Sequence, residues 1–558
     1  MGNAFSRIDK VLFFGVLIIL LSATIPLVAF PELGAQWVMQ AKNYVTDKFG
    51  VAYLAVGIGS FGFMLYIIFS DIGQIKLGEP DEKPEFPLLS WAAMLFCAGI
   101  GGAILYWSMI EWVYYMQAPP FNIEPFSEEA VTWATTYGIF HWGPLAWSIY
   151  LVPALPIAYF YYVRKHPVLR ISEALLPVLG EKLAHGWLGK IVDILFVFGM
   201  LGGGATTFGL LAPLITEGMS QLFGIPNNLG TQICVLMLCT AVFAVSAYVG
   251  LKKGIKVLSD INMWLALGIL LFVLIVGPTQ FMLKTGLNSI GTLIQNLFHM
   301  ATWTEPFGNM QGFPKSNFPE NWTIFYWAWW LVFAPTVGLF IARISRGRTI
   351  KTMVAGSLFF GTLGCALFFS ILGNYAIYLQ LTDALDVVSI LNDQSPQAAI
   401  FAVLHSLPLS WLVIAIFTVL VIIFTATTFD SISYILASVV ETKMDESGEP
   451  MRWNRLFWAF AMSLLPMTLM FLGGLNTLQT ASVVSGVPLL IIAVLLMVSM
   501  VRAAKFDLRY QPHYEDPEIN IEEFPVDDPW TEDGSWEDTN NEDAPSITRK
   551  DLGDEPTP

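Results

Sequence analysis

Residues 322–333 read WTIFYWAWWLVF, an uncharged stretch in which four of twelve side chains are indoles. An α-helix carries residues spaced by i, i+4, i+7, i+8 and i+11 along one stripe of its surface. The aromatic residues with this spacing are Trp322, Tyr326, Trp329, Trp330 and Phe333. The surrounding apolar run at 321–342 is long enough to cross a membrane, so Trp329 and Trp330 fall inside the span and not in an interfacial belt. The stripe indicates either an aromatic cage for a cation or ordinary packing between helices.

Apolar runs of similar length recur from residue 11 to residue 501. A helix needs ~20 apolar residues to cross a hydrocarbon core ~30 Å thick, and only helices and closed barrels satisfy their backbone groups in lipid. The runs are too long for barrel strands, so we predict an all-α membrane protein with 12 transmembrane helices. The predicted spans are 11–30, 51–70, 89–116, 131–162, 188–215, 230–250, 257–283, 321–342, 352–378, 408–438, 455–473 and 482–501.

The composition excludes several classes of protein. Of 558 residues, 55% are hydrophobic and 13% are charged, against about 25% charged in an average soluble domain. A soluble enzyme, a nucleic-acid binder and a disulfide scaffold are therefore excluded. The cysteines lie in apolar runs, where they act as small hydrophobic residues: Cys97, Cys234, Cys239 and Cys365. A membrane-embedded enzyme would need a convergent acid–base or metal cluster, and no such pattern is visible, so we expect neither catalysis nor an organic cofactor.

The net charge of −16 belongs to the C-terminal end of the chain. Residues 506–558 contain 17 acidic and 3 basic residues, and the rest of the chain is close to neutral. This segment is rich in Asp, Glu, Pro and Asn and cannot bury a core, so we predict a disordered acidic cytoplasmic tail. A solvated appendage is the simpler interpretation, and a regulatory segment is the alternative.

Basic loops alternate with loops that lack Lys and Arg, which sets the predicted orientation. The basic loops carry Arg164, Lys165, Arg170, Lys252, Lys253, Lys256, Arg343, Arg346, Arg348, Arg452 and Arg455. The loops without Lys or Arg are 117–130, 216–229, 379–407 and 474–481. Both termini then face the cytoplasm, with Lys42 and Lys48 in a predicted loop at 31–50 as the exception. The first apolar run has no small-residue cleavage site and is predicted to be a retained helix.

Two spans contain unusual small or polar residues. Residues 97–103 read CAGIGGA, and glycine costs about 1 kcal/mol in a helix interior. Either the helix breaks here and frees carbonyls for an ion or substrate, or small residues pack against another helix. Residues 424–431 read FTATTFDS, in which Thr427 and Thr428 share a face. These hydroxyls with freed carbonyls suit a monovalent cation, unless they bond back to their own helix.

Charged residues inside spans are expensive, which makes Glu111, Asp193, Asp260 and Asp430 candidates for a role in function. For Asp193 and Asp260 we expect either pairing with a nearby helix end or snorkelling toward the membrane surface. His141 is expected to be a structural hydrogen-bonding residue and not a ligand.

The stretch NWTIFYWAWW at 321–330 is similar to the signature of the betaine/choline/carnitine transporter family. The likeness continues through ARISRGR at 342–348, and through HWGP at 141–144 to Trp147. It covers roughly residues 10–505 and leaves out the acidic tail.

The resemblance implies a leucine-transporter-like core of two inverted five-helix repeats, helices 3–7 and 8–12, preceded by two extra N-terminal helices. Together with the sequence patterns, this predicts N-terminal helices 1–2 at 1–88, the first repeat at 89–283, an amphipathic outer-surface helix and loop at 284–320, the second repeat at 321–505 and the tail at 506–558. A homotrimer in membrane lipid and alternating access are also implied, with the small-molecule substrate at mid-membrane between helices 3, 4 and 8.

By motif position the resemblance implies a substrate cage on helices four and eight, made of Trp142, Trp147, Tyr150, Trp329, Trp330 and Phe333. Tyr114 matches a tyrosine that lines the site of the carnitine/γ-butyrobetaine antiporter. The remaining candidate substrate-binding residues are Trp112, Trp322 and Tyr326. Phe333 replaces a tryptophan of the betaine carriers, and Trp112 replaces their proline. The extra indole at 112 suggests a smaller pocket that favours trimethylamine N-oxide or betaine over carnitine.

Sodium as coupling ion is implied by departures from that antiporter, which is sodium-independent. Its arginine on helix seven and its methionine on helix eight correspond here to Asn262 and Val337. The sodium-coupled betaine carriers share the glycine run and the Thr-Thr-x-Asp-Ser element. The implied ligands are carbonyls of Cys97, Ile100 and Phe424 with hydroxyls of Thr427 and Thr428. A second sodium site near Thr206 and Thr207 is a further hypothesis.

We therefore expect a sodium-coupled secondary transporter for a methylated-ammonium osmolyte or nutrient, such as betaine, choline, carnitine or trimethylamine N-oxide, in a bacterial inner membrane. The alternatives are a sodium-independent or sodium/substrate antiporter of the same solutes, and a carrier of dimethylsulfoniopropionate. From another class, a substrate-gated channel or a receptor remains open. The betaine carriers that sense osmotic stress use a basic C-terminal helix, so the acidic tail argues against that regulation.

Overall fold

The computed structural model describes residues 5–98, 101–165, 170–249, 252–442 and 450–509. These residues form helices and connecting segments, and the β contacts among them are two isolated bridges, Ile8 with Glu441 and Lys76 with Thr349. The predicted all-α fold is therefore confirmed. Residues 506–508 of the predicted disordered tail belong to the last helix, Val487–Leu508, in which Asp507 is buried, and residues 510–558 lie outside the described part.

The first half of the chain, up to residue 302, contains twelve described α-helices. In chain order they are α1 (Lys10–Ala29), α2 (Pro31–Phe69), α3 (Leu88–Ala98), α4 (Gly102–Gln117), α5 (Glu128–His141), α6 (Pro144–Ala158), α7 (Leu176–Leu179), α8 (Glu181–Ala184), α9 (Trp187–Phe223), α10 (Leu229–Val249), α11 (Lys252–Val276) and α12 (Thr279–Thr302). A π-helical turn at Tyr159–Val163 continues α6, and 3-10 turns lie at Phe5–Arg7, Asp71–Gln74, Pro120–Asn122 and Glu173–Leu175.

The second half contains several wide π-helical turns within its spans. Its helices are α13 (Ile324–Ile344), α14 (Ile350–Gly356), α15 (Thr362–Phe368), α16 (Asn374–Leu381), α17 (Val387–Asp393), α18 (Pro396–His405), α19 (Ser410–Val440), α20 (Arg452–Ala461), α21 (Leu464–Leu472), α22 (Leu475–Ser485) and α23 (Val487–Leu508). The π-helical turns are Pro319–Thr323 before α13, Ser357–Gly361 between α14 and α15, and Phe369–Gly373 between α15 and α16.

Within the described residues, nine helices are long and apolar enough to cross a membrane, and each coincides with a predicted span. Of the other predicted spans, the third is divided between α3 and α4, and the sixth coincides with α10. The seventh coincides with α11, whose part from Ile261 meets α12 at a bend of 113°. The count of twelve spans, the inverted repeats and the segment bounds stay predictions.

The predicted loop at 31–50 is wrong, because α2 is a single helix of 39 residues that already contains it. Lys42 is buried in this helix, and its Nζ donates to the side-chain oxygens of Asn476 at 2.7 Å, Gln479 at 3.1 Å and Asn321 at 3.3 Å. A buried ammonium group needs such acceptors because water is excluded. Lys42 is therefore an internal packing residue, which explains why it does not follow the loop-charge pattern.

Helices α6 and α13 cross at close range. A Cβ atom on Gly338 of α13 would lie 3.0 Å from the amide nitrogen of Ala154 and 3.1 Å from the carbonyl oxygen of Tyr150. Such distances are tighter than most Cβ contacts, so a glycine at this position favours the close approach of the two backbones. The crossing turns the aromatic stripe of α13 toward the aromatic residues of α6.

The C-terminal end of α23 is anchored to the end of the α6 span by a buried ion pair. Arg164 donates from Nη2 to Asp507 Oδ1 at 2.7 Å and from Nε to Oδ2 at 2.9 Å, and Tyr159 donates its hydroxyl to Oδ2 at 2.5 Å. The neighbouring pair between Lys165 and Glu79, at 2.7 Å, is about half exposed. The last described helix thus ends against a basic loop.

The N-terminal end of α1 lies against the same kind of basic surface. Asp9 caps α1 and pairs with Lys190 at 3.2 Å and Arg170 at 3.4 Å, and Arg170 also donates to the carbonyl of Val439 at 3.1 Å. Burial raises the pKa of Asp9, but hydrogen bonds from Lys190 and the amide of Leu12, with the charge of Arg170, outweigh it and hold that pKa below its usual value.

Candidate functional site

Three indoles form the centre of the site. Trp142 follows α5, and its ring centroid lies 4.6 Å from that of Trp330 at an interplanar angle of 71° and 6.1 Å from that of Trp329 at 83°. Trp329 and Trp330 are nearly parallel, with centroids 5.1 Å apart at 13°. All three rings are buried; Trp329 and Trp330 lie near the middle of the span Pro319–Ile344, and Trp142 lies within the span Glu128–Val163. A cation is attracted to the face of an aromatic ring, and tryptophan provides the strongest such face.

Three further aromatic residues from the candidate set adjoin these indoles, and a fourth adjoins one of the three. Tyr150 lies 5.6 Å from Trp330, Phe333 lies 6.4 Å from Trp329, and Tyr326 lies 5.6 Å from Trp330. Trp147 meets Tyr150 edge-on at 5.8 Å. We define the aromatic cage as the resulting cluster of Trp142, Trp147, Tyr150, Tyr326, Trp329, Trp330 and Phe333.

Tyr114 and Trp322 belong to a second aromatic group. Their rings are 5.2 Å apart, and Trp107, which was not among the candidates, lies 5.8 Å from Trp322. Trp107 also lies 6.1 Å from Tyr326, which connects this group to the aromatic cage. The signal for Trp107 was available, because it precedes Tyr114 by seven residues and so lies on the same face of α4.

Trp112 is the one candidate that the structure leaves apart from the others. Its indole N–H donates to the carbonyl of Met109 in the same helix at 2.8 Å. In the described part of the chain its ring adjoins none of the other nine candidate rings. It therefore gives no support to the idea of a pocket narrowed by an extra indole.

A buried carboxyl group stands directly behind the aromatic cage. Glu111 Oε2 accepts from the Tyr326 hydroxyl at 2.5 Å and from Trp142 Nε1 at 3.3 Å, and its Oε1 accepts from the Tyr115 hydroxyl at 2.5 Å. The sequence singled out Glu111 as a charge inside a span, but its partners depend on contacts between helices. Tyr115 was missed altogether.

His141 connects the same network to α13. Its Nδ1 lies 2.8 Å from the Tyr115 hydroxyl and its Nε2 lies 3.1 Å from the Thr323 hydroxyl. Its carbonyl oxygen accepts from Trp330 Nε1 at 2.7 Å. The expected structural hydrogen-bonding role of His141 is confirmed by these contacts. Phe369, another residue that was missed, adds a ring 6.0 Å from Trp142 from a π-helical turn.

The sodium candidates on α19 form a compact group of oxygens. The hydroxyl of Thr427 lies 3.1 Å from the carbonyl oxygen of Phe424, and that of Thr428 lies 2.8 Å from it. Both hydroxyls therefore bond back to their own helix, as the alternative interpretation proposed. Three of the five candidate sodium ligands therefore lie together, because the Thr427 and Thr428 hydroxyls are within hydrogen-bonding distance of the Phe424 carbonyl.

The glycine run interrupts the third predicted span beside this group. α3 ends at Ala98 and α4 begins at Gly102, with Gly101 extended at φ −97° and ψ 169°. A Cβ atom on Gly102 would lie 3.4 Å from Phe424 Cβ, so the interruption adjoins α19. Ile100 and the side chain of Cys97 lie outside the described residues. The broken-helix interpretation therefore fits the backbone better than a continuous packing seam.

The remaining polar candidates have separate surroundings. The Thr206 hydroxyl bonds to the carbonyl of Leu478 at 2.7 Å and the hydroxyl of Ser482 at 2.8 Å. Buried polar atoms without a hydrogen-bond partner among the described residues include the Thr207 hydroxyl and the amide group of Asn262.

Two of the intramembrane aspartates form ordinary pairs. Asp193 accepts from the backbone and the hydroxyl of Ser172, at 3.0 and 2.8 Å, at the start of a helical turn, as expected. Asp430 forms an ion pair with Arg455. The side chain of Asp260 lies outside the described residues.

The fold and the site define a helical membrane protein that crosses the bilayer many times and holds a buried aromatic site. A family model described as "BCCT, betaine/carnitine/choline family transporter" matches residues 10–509. The chain belongs to the betaine/carnitine/choline transporter family, and it is a transporter and not an enzyme. The resemblance found in the sequence is thereby confirmed.

Three bacterial relatives are similar over most of their length. The glycine betaine transporter OpuD of Bacillus subtilis (strain 168) is 39% identical over 471 residues, covering 84% of this chain and 89% of that protein. The uncharacterized transporter YeaV of Escherichia coli (strain K12) is 35% identical over 475 residues, covering 84% and 97%. A carnitine transporter of Acinetobacter baumannii is 34% identical over 502 residues, covering 88% of each chain.

Trp147 is held by a close contact that yields a testable prediction. A Cβ atom on Gly361, at the end of a π-helical turn, would lie 2.1 Å from Trp147 Cε2. We expect Gly361→Ala to displace this indole and to raise the KM for solute uptake about tenfold, equivalent to ~1.4 kcal/mol. Gly59→Ala is the matched control, since no atom lies within 4 Å of the added Cβ. Equal KM values for the two variants in proteoliposome uptake would contradict this role of Gly361.

Proposed function

We propose that this protein is a sodium-coupled secondary transporter of a small methylated-ammonium solute, bound in the aromatic cage and released by alternating access. The observation that carries the proposal is the perpendicular arrangement of Trp142 against the stacked pair Trp329 and Trp330 within a span. A quaternary ammonium group has diffuse charge and no N–H donor, so aromatic faces are its natural partners, each contributing ~0.5–2 kcal/mol.

The solute class is supported by the relatives and by the walls of the cage. One relative is named a glycine betaine transporter and another a carnitine transporter, and both solutes carry a methylated ammonium group. Choline and trimethylamine N-oxide share that headgroup and belong to the same proposal. Trp112 lies away from the cage, so we propose no preference for the more compact members.

Sodium coupling is supported by the oxygens of Phe424, Thr427 and Thr428, which converge beside the interrupted helix at Gly101. Freed carbonyls and hydroxyls at a mid-membrane break are the usual ligands of coupling ions in transporters of this kind. An ion that binds together with the solute can drive accumulation only if it favours one access state over the other. We propose that sodium does so from this position.

The sodium proposal is tested by uptake into proteoliposomes of betaine, choline, carnitine, dimethylsulfoniopropionate and trimethylamine N-oxide, each with and without a sodium gradient. For the accumulated solute, we expect Thr427→Ala with Thr428→Ala to raise the half-saturating sodium concentration about tenfold, or ~1.4 kcal/mol. Thr425→Ala is the control, because that hydroxyl bonds to Val421 one turn away at 2.7 Å. Uptake by the unaltered protein that ignores sodium would refute the ion assignment.

The same assay separates the alternatives. A sodium-independent antiporter would take up labelled solute only against unlabelled solute inside, and a substrate-gated channel would give flux without accumulation. A receptor would bind solute without flux. A carrier for dimethylsulfoniopropionate would reveal itself by its solute preference.

We further propose a bacterial inner-membrane location with both termini in the cytoplasm. Support for this orientation comes from one basic loop, in which Arg164 pairs with the last described helix and Arg170 pairs with Asp9 at the N-terminal end of α1. The homotrimer is proposed from the family resemblance.

A further inference from the structure

The cage of an onium carrier is expected to consist of uncharged rings, yet here two of its members donate to one carboxyl group. Tyr326 and Trp142 both bond to Oε2 of Glu111, at 2.5 and 3.3 Å. Glu111 is fully buried. Neither the proposed binding of the solute nor the proposed sodium coupling involves it. A buried carboxyl group at this place requires an explanation, because burial of a charge inside a membrane protein is costly.

The hydrogen bonds around Glu111 can accommodate an ionised carboxyl group. An ionised carboxylate only accepts, and the indole N–H of Trp142 only donates. The hydroxyls of Tyr115 and Tyr326 each lie 2.5 Å from a carboxyl oxygen, within the range of hydroxyl bonds to carboxylates. Three donors thus surround Glu111 from its own helix, from the end of α5 and from α13.

The nearest basic group does not have to neutralise this charge. His141 Nδ1 lies 3.7 Å from Glu111 Oε1, farther than a hydrogen bond. When the Tyr115 hydroxyl donates its hydrogen bond to Glu111, the Tyr115 oxygen is free to accept from His141 Nδ1–H. Nε2 of His141 then accepts from the Thr323 hydroxyl. A neutral imidazole therefore satisfies every contact of the network.

A carboxylate at this point acts on the cage through the rings themselves. The attraction between a cation and a ring depends on the negative charge of the ring face. When an indole N–H or a phenol O–H donates to an anion, the bond polarises the donor and increases the electron density of its ring. The full negative charge also attracts a cation on the other side of those rings through a medium of low dielectric constant.

We propose that Glu111 is a positioning residue of the aromatic cage that holds Trp142 and Tyr326 in place and supplies the negative charge by which the cage selects an onium group over a neutral group of the same shape. This inference rests on the proposed function, since it assumes that the solute occupies the cage. Glu111 does not touch the solute, and its effect passes through the two rings.

The test compares onium solutes with their carbon isosteres, which have the same shape without the charged nitrogen. Choline is paired with 3,3-dimethyl-1-butanol, and betaine with 3,3-dimethylbutanoate. Dissociation constants are measured on the purified full-length protein by tryptophan fluorescence and calorimetry. A residue with a merely structural role would affect both members of a pair equally, whereas a source of charge affects only the onium member.

For Glu111→Gln, which keeps the size and removes the charge, we expect the Kd of the onium solute to rise about tenfold, or ~1.4 kcal/mol, with the isostere unchanged. Tyr115→Phe is the matched control, because it removes one hydrogen bond to Glu111 and retains the charge. The ratio of the two Kd values should then stay at the wild-type ratio. An equal rise for both members of the pair in Glu111→Gln would overturn the inference.

A substitute variant and a comparison on the wild-type protein complete the test. If Glu111→Gln does not accumulate as folded protein, Tyr326→Phe replaces it, since this variant keeps the ring and removes its bond to Glu111. A Kd increase confined to the onium solute then supports the inference, and an equal increase for the isostere overturns it. If the wild-type protein accumulates no methylated-ammonium solute in the uptake assay, the proposed function is overturned and the inference with it; if it accumulates one but binds neither choline nor betaine more tightly than the isosteres, only the inference is overturned.

Discussion

Trp329→Leu is expected to raise the Kd for the transported onium solute about 30-fold, which corresponds to ~2 kcal/mol for one desolvated aromatic face. Trp329 contributes that face at the centre of the cage, where it stacks on Trp330 at 5.1 Å and on Phe325 at 5.4 Å. Leucine fills part of the volume but has no π face to offer. Binding is measured by calorimetry, and the melting temperature is recorded on the same samples.

Trp458→Leu is the control for the loss of a large buried side chain. Trp458 is as buried as Trp329, and neither indole N–H has a hydrogen-bond partner among the described residues. Its ring packs on Phe13 at 5.4 Å, away from the aromatic cage. We expect both variants to lose stability and only Trp329→Leu to lose affinity. Unchanged affinity in Trp329→Leu would remove the cage from the mechanism.

The second large effect is expected at the ion pair between Arg164 and Asp507, whose side chains are 1% and 0% exposed. Arg164→Met leaves the Asp507 carboxylate without its cation, and such a loss destabilises a protein by about 3–5 kcal/mol. Asp507→Asn should lower the stability by a similar amount, because it leaves the Arg164 guanidinium without its anion. Replacing both together should cost less than the sum, because neither charge is then left alone. Thermal unfolding in detergent, arranged as a double-mutant cycle, measures this coupling.

The adjacent pair of Lys165 and Glu79 provides the control. The two atoms are also 2.7 Å apart, but the side chains are 45% and 49% exposed, and exposed pairs contribute only about 0–1 kcal/mol. Lys165→Met should therefore leave the melting temperature close to the wild-type value. A strictly additive cycle for the buried pair would show that Arg164 and Asp507 do not stabilise each other.

The positions of the spans and the stripe on α13 were predictable because they depend on properties within one helix. Hydropathy locates an apolar run, and helical periodicity places Tyr326, Trp329 and Trp330 on one side whatever the helix packs against. The same reasoning should have separated Trp112 from Tyr114, because residues two apart on a helix do not share a face.

Contacts between helices were beyond the reach of the pattern. Glu111 could be recognised as an unusual charge, but its bonds to Trp142 and Tyr326 require the approach of α4 to α13 and to the end of α5. Lys42 was misread as a loop residue because its amide partners lie hundreds of positions away along the chain. The π-helical turn that carries Phe369 left no mark in the hydropathy pattern.

The shared ammonium group of Lys42 restricts how the molecule can move. Its three amide acceptors come from α22 and from the π-helical turn before α13, while Lys42 itself belongs to α2. If one of these segments moved away from the others, the Lys42 ammonium group would lose hydrogen-bond acceptors while still buried. That loss is unfavourable unless water enters and replaces the acceptors. We expect this corner of the three segments to travel as a rigid unit during the transport cycle, so that the solute pathway opens by displacement of other helices around it.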